Sequence, residues 1–210
     1  MSSPASLPLE IYQSAQQGEL QQVVKWLRKG GPVDALCSIP TDNGDTVSAA
    51  LLHAAAANGH LEMVTELLER GASVDLEDDH GFTALMAAAN HGHLSTLLLL
   101  LQHSASPDLQ DVYGQSALMD AAGNGQKACV RALLRAKANT ELLDEDGDTA
   151  LQYAELKGHT AIVELIQQHA APPQPVTASP AAPPDAGEPA ESSPASLPDK
   201  IYESAQRGKL

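Results

Sequence analysis

Four glycines, Gly59, Gly92, Gly125 and Gly158, stand at a constant spacing of 33 residues. Each opens a similar triplet: Gly59-His60-Leu61, Gly92-His93-Leu94, Gly125-Gln126-Lys127 and Gly158-His159-Thr160. A small-residue run precedes each of them: Ala50-Leu51-Leu52-His53-Ala54-Ala55, Thr83-Ala84-Leu85-Met86-Ala87-Ala88, Ser116-Ala117-Leu118-Met119-Asp120-Ala121 and Thr149-Ala150-Leu151-Gln152-Tyr153-Ala154. A period of this length marks one supersecondary unit stacked on copies of itself, each copy burying a face that it cannot bury alone.

The residues between these marks specify two helices per unit. Thr83, Ser116 and Thr149 carry hydroxyls that can accept an amide hydrogen bond at a helix start, and the alanines behind them keep the first helix thin enough to stack closely. Past each glycine, Leu61 to Glu69, Leu94 to Gln102, Lys127 to Arg135 and Thr160 to Gln168 place apolar residues such as Val64, Leu67 and Leu68 at helical spacing, which predicts a second helix facing a shared core. Gly71 follows the second helix where a left-handed turn closes many helices. Ser104 and Lys137 hold that place in the next two units, where the turn should cost slightly more.

On these residues the chain resembles the ankyrin-repeat family, whose period of about 33 residues combines a turn with two helices and opens on Thr-Pro-Leu-His-x-Ala. Alanine or leucine replaces the proline throughout, and only His53 keeps the histidine. The resemblance covers about residues 8–170 and implies an all-α solenoid of five helix pairs, with repeats near 8–34, 45–77, 78–110, 111–143 and 144–170. The first pair is degenerate: its glycine, Gly18, lies 41 residues before Gly59, so an eight-residue insertion is expected in the first connection. Leu9 to Gln17 and Leu20 to Lys29 form that pair, with Gln22 where later repeats have Met63, Cys129 and Ile162. Gln167 replaces Leu68, Leu101 and Leu134 at the other end, and polar residues on outward faces suit terminal caps.

Beyond residue 170 the composition changes. Residues 171–198 are mostly proline, alanine, serine and acidic residues, which cannot build a core and read as a disordered linker. Ser192 to Leu210 then repeats Ser2 to Leu20 with 14 of 19 positions identical, including Ile201-Tyr202 for Ile11-Tyr12. Residues 199–210 therefore read as the truncated start of a second array, and the chain as a fragment of a tandem multi-array protein. An exchange of this copy with its twin is disfavoured, because the copy lacks the second helix that completes the packing.

No apolar stretch has the length of a membrane span; the longest leucine run is Leu97 to Leu101. No signal-type start is evident, so the array is expected in the cytoplasm, with the nucleus open to it, as a monomer away from membranes. Two cysteines make no disulfide framework: Cys129 occupies a core position, while Cys37 lies in the inserted loop and is expected to be exposed.

The formal charge of −15 is unevenly placed. Glu77, Asp78, Asp79, Asp108, Asp111, Glu141, Asp144, Glu145, Asp146 and Asp148 crowd the connections, and the cations Lys25, Arg28, Lys29, Arg70, Lys127, Arg131, Arg135 and Lys137 fall on or after second helices. The resemblance implies that finger tips and first-helix ends line a concave partner-binding face. Its matching positions here are Asp79, His80 and Phe82, then Val112, Tyr113 and Gln115, then Glu145, Asp146 and Asp148, with Asn58, Asn90, His91, Asn124 and Lys157 beside the turn glycines. Phe82 and Tyr113 either anchor a partner's apolar side chain or cover the finger bases. The acidic rim serves either recognition of a basic protein segment or solubility. Nucleic acid is excluded as the expected partner, since that face has almost no cations for phosphates.

No nucleophile stands with a base at a spacing that catalysis requires, and no phosphate loop or zinc signature occurs, so neither an enzyme nor a cofactor is expected. The recurrent His60, His93 and His159 read as groups bonding backbone, and His91-Gly92-His93 lacks further metal ligands. Asp144, Asp146, Asp148 and Glu155 imitate a calcium loop, but Thr149 occupies its glycine position, and a finger turn at Asp146-Gly147 explains the same residues. The expected function is protein–protein interaction through an acidic concave edge, with a multivalent scaffold of tethered arrays as the alternative.

Overall fold

A computed structural model describes residues 6–40 and 46–170. The expected linker and second-array start lie outside the described residues. Among the described residues ten helices form five antiparallel pairs: α1 (Leu9–Gln16) with α2 (Leu20–Arg28), α3 (Leu51–Ala57) with α4 (Leu61–Glu69), α5 (Ala84–His91) with α6 (Leu94–Gln102), α7 (Ala117–Gly123) with α8 (Lys127–Arg135), and α9 (Ala150–Leu156) with α10 (Thr160–Ala170). The first helices α3, α5, α7 and α9 pack successively on one another, and the second helices stack behind them less closely. Alanine makes this possible: Ala55, Ala88, Ala121, Ala122 and Ala154 are buried in the contacts between first helices. The larger Leu51, Leu67, Leu85, Leu100, Leu118 and Leu133 fill the space between the two helical layers. Each such leucine contributes about 1.5–3 kcal/mol by leaving water.

Hydroxyl caps start three of the first helices. Thr83 Oγ1 accepts from the Met86 amide at 3.3 Å, Ser116 Oγ from Met119 at 3.4 Å and Thr149 Oγ1 from Gln152 at 3.3 Å. In the second pair His53 performs the task from the other side: its Nδ1 accepts from the Ala50 amide at 3.2 Å, leaving Nε2–H to donate to the carbonyls of Leu76 and Phe82 in the next connection. His53 thus bolts its helix to the following finger. Burial pushes its imidazole below its usual range, an effect only partly opposed by Asp78 and those carbonyls.

The glycine ruler has a double cause. Gly18 and Gly59 take φ of +75° and +69°, where a side chain is strained. A Cβ at either site would also meet the next repeat's histidine, at 2.8 Å for Gly18 against His60 and 2.5 Å for Gly59 against His93. Those histidines reach back across the interface: His60 Nε2 lies 2.8 Å from the Gln16 carbonyl, His93 Nε2 3.0 Å from Ala57 and His159 Nε2 3.2 Å from Gly123. They bond backbone and tie each repeat to the one before. Where Gln126 replaces histidine, the contact to the Asn90 carbonyl stretches to 3.4 Å.

Two expectations are corrected in the first connection. The insertion is an antiparallel hairpin rather than a plain loop, β1 (Leu36–Pro40) with β2 (Thr46–Ala50), registered Leu36↔Ala50, Ser38↔Ser48 and Pro40↔Thr46. Strand alternation turns Cys37 inward, so it is 2% exposed and burial raises its thiol, contrary to the exposed cysteine expected there. Ser104 and Lys137 do adopt the left-handed turn, at φ of 67° and 65°. Gln22 and Gln167 are exposed at the two ends of the array.

Candidate functional site

The connections project from the first-helix side as a row of fingers, and most of their carboxylates hold the fingers in shape. Asp78 Oδ1 accepts the amides of His80 and Phe82 at 2.8 and 2.9 Å. Asp111 does the same for Tyr113 and Gln115 at 2.9 and 2.8 Å, and Asp144 for Asp146 and Asp148 at 3.0 and 2.8 Å. One carboxylate per finger therefore satisfies two loop amides, the geometry of an Asx turn. A second set crosses between repeats: Asp34 takes the amide and hydroxyl of Ser73 at 3.0 and 2.6 Å, Asp75 those of Ser106 at 2.9 and 2.6 Å, and Asp108 the amide of Asn139 at 2.7 Å. Asp79 is also engaged, accepting the Ser48 amide of the hairpin at 2.8 Å.

Neighbouring fingers are joined at their tips. The Val112 amide donates to the His80 carbonyl at 2.8 Å, and the Glu145 amide to the Tyr113 carbonyl at 3.0 Å. Gly114 allows this approach, since a Cβ there would stand 2.8 Å from the Asp144 Cα. The finger edge is consequently one surface whose backbone is held by hydrogen bonds from tip to tip.

The candidate residues divide on that surface. Val112 and Tyr113 are 50% and 56% exposed, and His80, Glu145 and Asp146 project beside them. Phe82 differs from Tyr113: it is half-buried and packs against the core, so it covers its finger base. Gln115 and the half-buried Asp148 stand closer in. Gln115 Nε2 donates at 2.8 Å to the hydroxyl of Tyr153, which donates at 2.6 Å to Asp144 Oδ2. That hydroxyl bond holds Asp144 below the usual carboxylate range, and burial with the Asp144 bond pushes Tyr153 up to about 12. Asn90 and Asn124 are linked, Nδ2 of Asn124 donating to Oδ1 of Asn90 at 2.9 Å. His91 is exposed, its Nδ1 3.0 Å from the Ala87 carbonyl and its ring stacked on His93 with centroids 6.1 Å apart.

Among the described residues no three His, Cys, Asp or Glu side chains gather as a metal site. Asp144 spends its oxygens on Asp146, Asp148 and Tyr153, and Glu155 lies on α9, away from any loop geometry. No described helix is long and apolar enough to cross a membrane.

Two features went unread in the sequence. Asp120, on α7, has Oδ2 out of contact with solvent and without a hydrogen-bond partner, and burial with repulsion from Asp111 pushes its carboxyl up to about 7. Its signal was available: Ala54 and Ala87 hold the same place two and one repeats earlier. The structural carboxylates were also marked, because Asp75 and Asp108, and likewise Asp78, Asp111 and Asp144, recur at the repeat spacing of 33, whereas His80, Tyr113 and Asp146 change from finger to finger.

In comparison with known proteins, the family model described as ankyrin repeats (3 copies) matches residues 11–111 and 86–175. No curated protein matches the chain.

Proposed function

Because the chain belongs to the ankyrin-repeat family, whose members are generally protein–protein interaction modules, we propose that it displays its finger edge to a basic segment of another protein. The observation that carries this reading is the pairing of Val112 and Tyr113 with Glu145 and Asp146 on adjacent, hydrogen-bonded tips. Two exposed apolar side chains beside two carboxylates without loop duties suit a segment with an apolar residue next to lysine or arginine. The tips are ordered before contact, so docking sacrifices little conformational freedom. Complementary charge would speed encounter and make it salt-sensitive. Asp78, Asp108, Asp111 and Asp144 keep their charge but accept internal hydrogen bonds, so they add to the field of the edge while Glu145 and Asp146 are the freer to bond a partner directly. The mechanism is display rather than catalysis, in the cytoplasm and by a monomer.

The test is a pull-down from lysate with the full chain beside Tyr113→Ala/Glu145→Gln/Asp146→Asn, at low and high salt. Partners with basic segments, retained by the parent and lost by the variant and by salt, are the expected result. Identical captures by both proteins would overturn the reading and leave the charge as a solubility device.

One observation favours the scaffold reading as a second role. Between residues 2–20 and 192–210, the described positions kept identical include the buried Leu7, Tyr12, Ser14 and Ala15, and those changed are the exposed Leu9, Glu10, Gln13, Gln17 and Glu19. Such a pattern retains what packs a first helix against a following repeat. It supports a further array tethered behind residues 171–198, where avidity would add to each site.

A further inference from the structure

The back of the solenoid carries a second surface, of opposite character to the fingers. Between α6 and α8 runs a groove lined by Leu94, Leu98, Ala128, Arg131, Ala132 and Arg135. These six fall into three rows of i and i+4 pairs: leucines on the α6 wall, alanines on the α8 side, and arginines along its rim. Residues so spaced stand one above the other on a helix. Leu98 is 42% exposed although it belongs to the run Leu97 to Leu101, because only Leu97 and Leu100 of that run are fully buried.

Charge separates this groove from its neighbours. α6 has no charged residue, and α8 carries Lys127, Arg131 and Arg135 with no carboxylate. The other pairs of adjacent second helices include glutamates: Glu62, Glu66 and Glu69 on α4, and Glu164 on α10. Of the three on α4 one is paired, Arg70 just past the helix end donating Nε to Glu66 at 2.6 Å. Among the described residues neither Arg131 nor Arg135 pairs with a carboxylate. In a chain with 27 acidic and 12 basic residues this strip is acid-free, a character it shares with the hollow lined by Ile11, Lys25, Trp26 and Lys29 at the first helix pair, but it alone of the two carries arginines.

We infer that the α6–α8 groove on the second-helix layer is a docking site for an acidic amphipathic helix of another protein, distinct from the finger edge. The occupant's apolar side chains, spaced at i and i+4, sit between Leu94 and Leu98 and over Ala128 and Ala132. Its carboxylates, on the flank toward α8, meet Arg131 and Arg135 in charge-assisted hydrogen bonds that match the guanidinium fork. The alanines leave room for a third helix to approach. The leucine wall argues for a protein segment over nucleic acid, which would want cations and stacking rings in place of an aliphatic wall.

The test pans a displayed random-peptide library on the full chain, then measures the leading peptide, fluorescently labelled, by anisotropy. Enriched clones should combine leucine with glutamate or aspartate at helical spacing. Binding should weaken about tenfold or more in Arg131→Glu/Arg135→Glu and measurably in Leu98→Ala. These side chains are exposed, so circular dichroism of each variant should match the parent. Glu145→Gln/Asp146→Asn should bind the peptide as the parent does, which separates this site from the finger reading. The inference is overturned if no clone depends on the two arginines, or if the parent prefers a single-stranded oligonucleotide probe. It is equally overturned if sedimentation shows a dimer abolished by Arg131→Glu/Arg135→Glu, since the occupant would then be a second copy of the chain.

Discussion

Asp120→Asn should stabilise this protein, and more so as pH rises. The carboxyl lies half-buried on α7 with Oδ2 unpartnered, and burial and Asp111 raise it from 3.8 to about 7. A group raised on folding adds stability that is full below its unfolded value and is lost as pH climbs through the folded one. The loss therefore develops between about pH 4 and about pH 7. Three units at 1.36 kcal/mol each would be about 4 kcal/mol, and solvent screening of a partly exposed group leaves roughly 2 kcal/mol. Asparagine keeps the shape without the charge. Thermal melts of the full chain and the variant, followed by circular dichroism, should differ by about 4–8 °C near pH 8 and by little near pH 5. A gap of the same size at both pH values, or none at either, would refute the burial argument.

Thr96→Val should raise stability by about 1 kcal/mol in denaturant titration, because Thr96 Oγ1 is buried without a partner where the other repeats carry Met63, Cys129 and Ile162; a loss would mean the hydroxyl is bonded. Ser104→Gly and Lys137→Gly should each gain about 0.5–1 kcal/mol by relieving a left-handed turn, read as an upward shift in melting temperature. Leu118→Ala, 1% exposed between the two layers, should cost about 2–5 kcal/mol by opening a cavity, and parent-like melting would show the core register to be wrong. His53, depressed by burial, contributes stability that is present above its unfolded value of about 6.5 and lost as pH falls through the folded one. Since Asp120 acts with the opposite sign in that range, the acid limb should be steeper in Asp120→Asn than in the parent.

The helices were legible because their determinants are local. Hydroxyl caps, alanine runs and apolar spacing lie within one repeat, and second helices predicted from Leu61, Leu94 and Lys127 begin at those residues. The hairpin was less so, although Asn43-Gly44 between Thr and Val residues is a recognised turn signal. The surface was harder again. Ten finger acids look equivalent in a sequence, but Asp111 accepts two loop amides while Asp146 projects into solvent. Spacing carried part of that distinction, since the acids that recur in register are the ones holding turns.

What the amino-acid order determined by itself was the unit, its length and its family: a 33-residue period with glycines at forced left-handed turns admits stacked helix pairs and little else. Tertiary structure decided which charges and apolar groups are available. Whether Phe82 covers a core or meets a partner, whether Cys37 is buried, and whether Leu98 lies open beside Arg131 depend on the adjoining repeat and on how closely two helices approach. Those contacts join residues a repeat apart, and the desolvation and hydrogen bonding that set each group's state arise only once the copies are stacked.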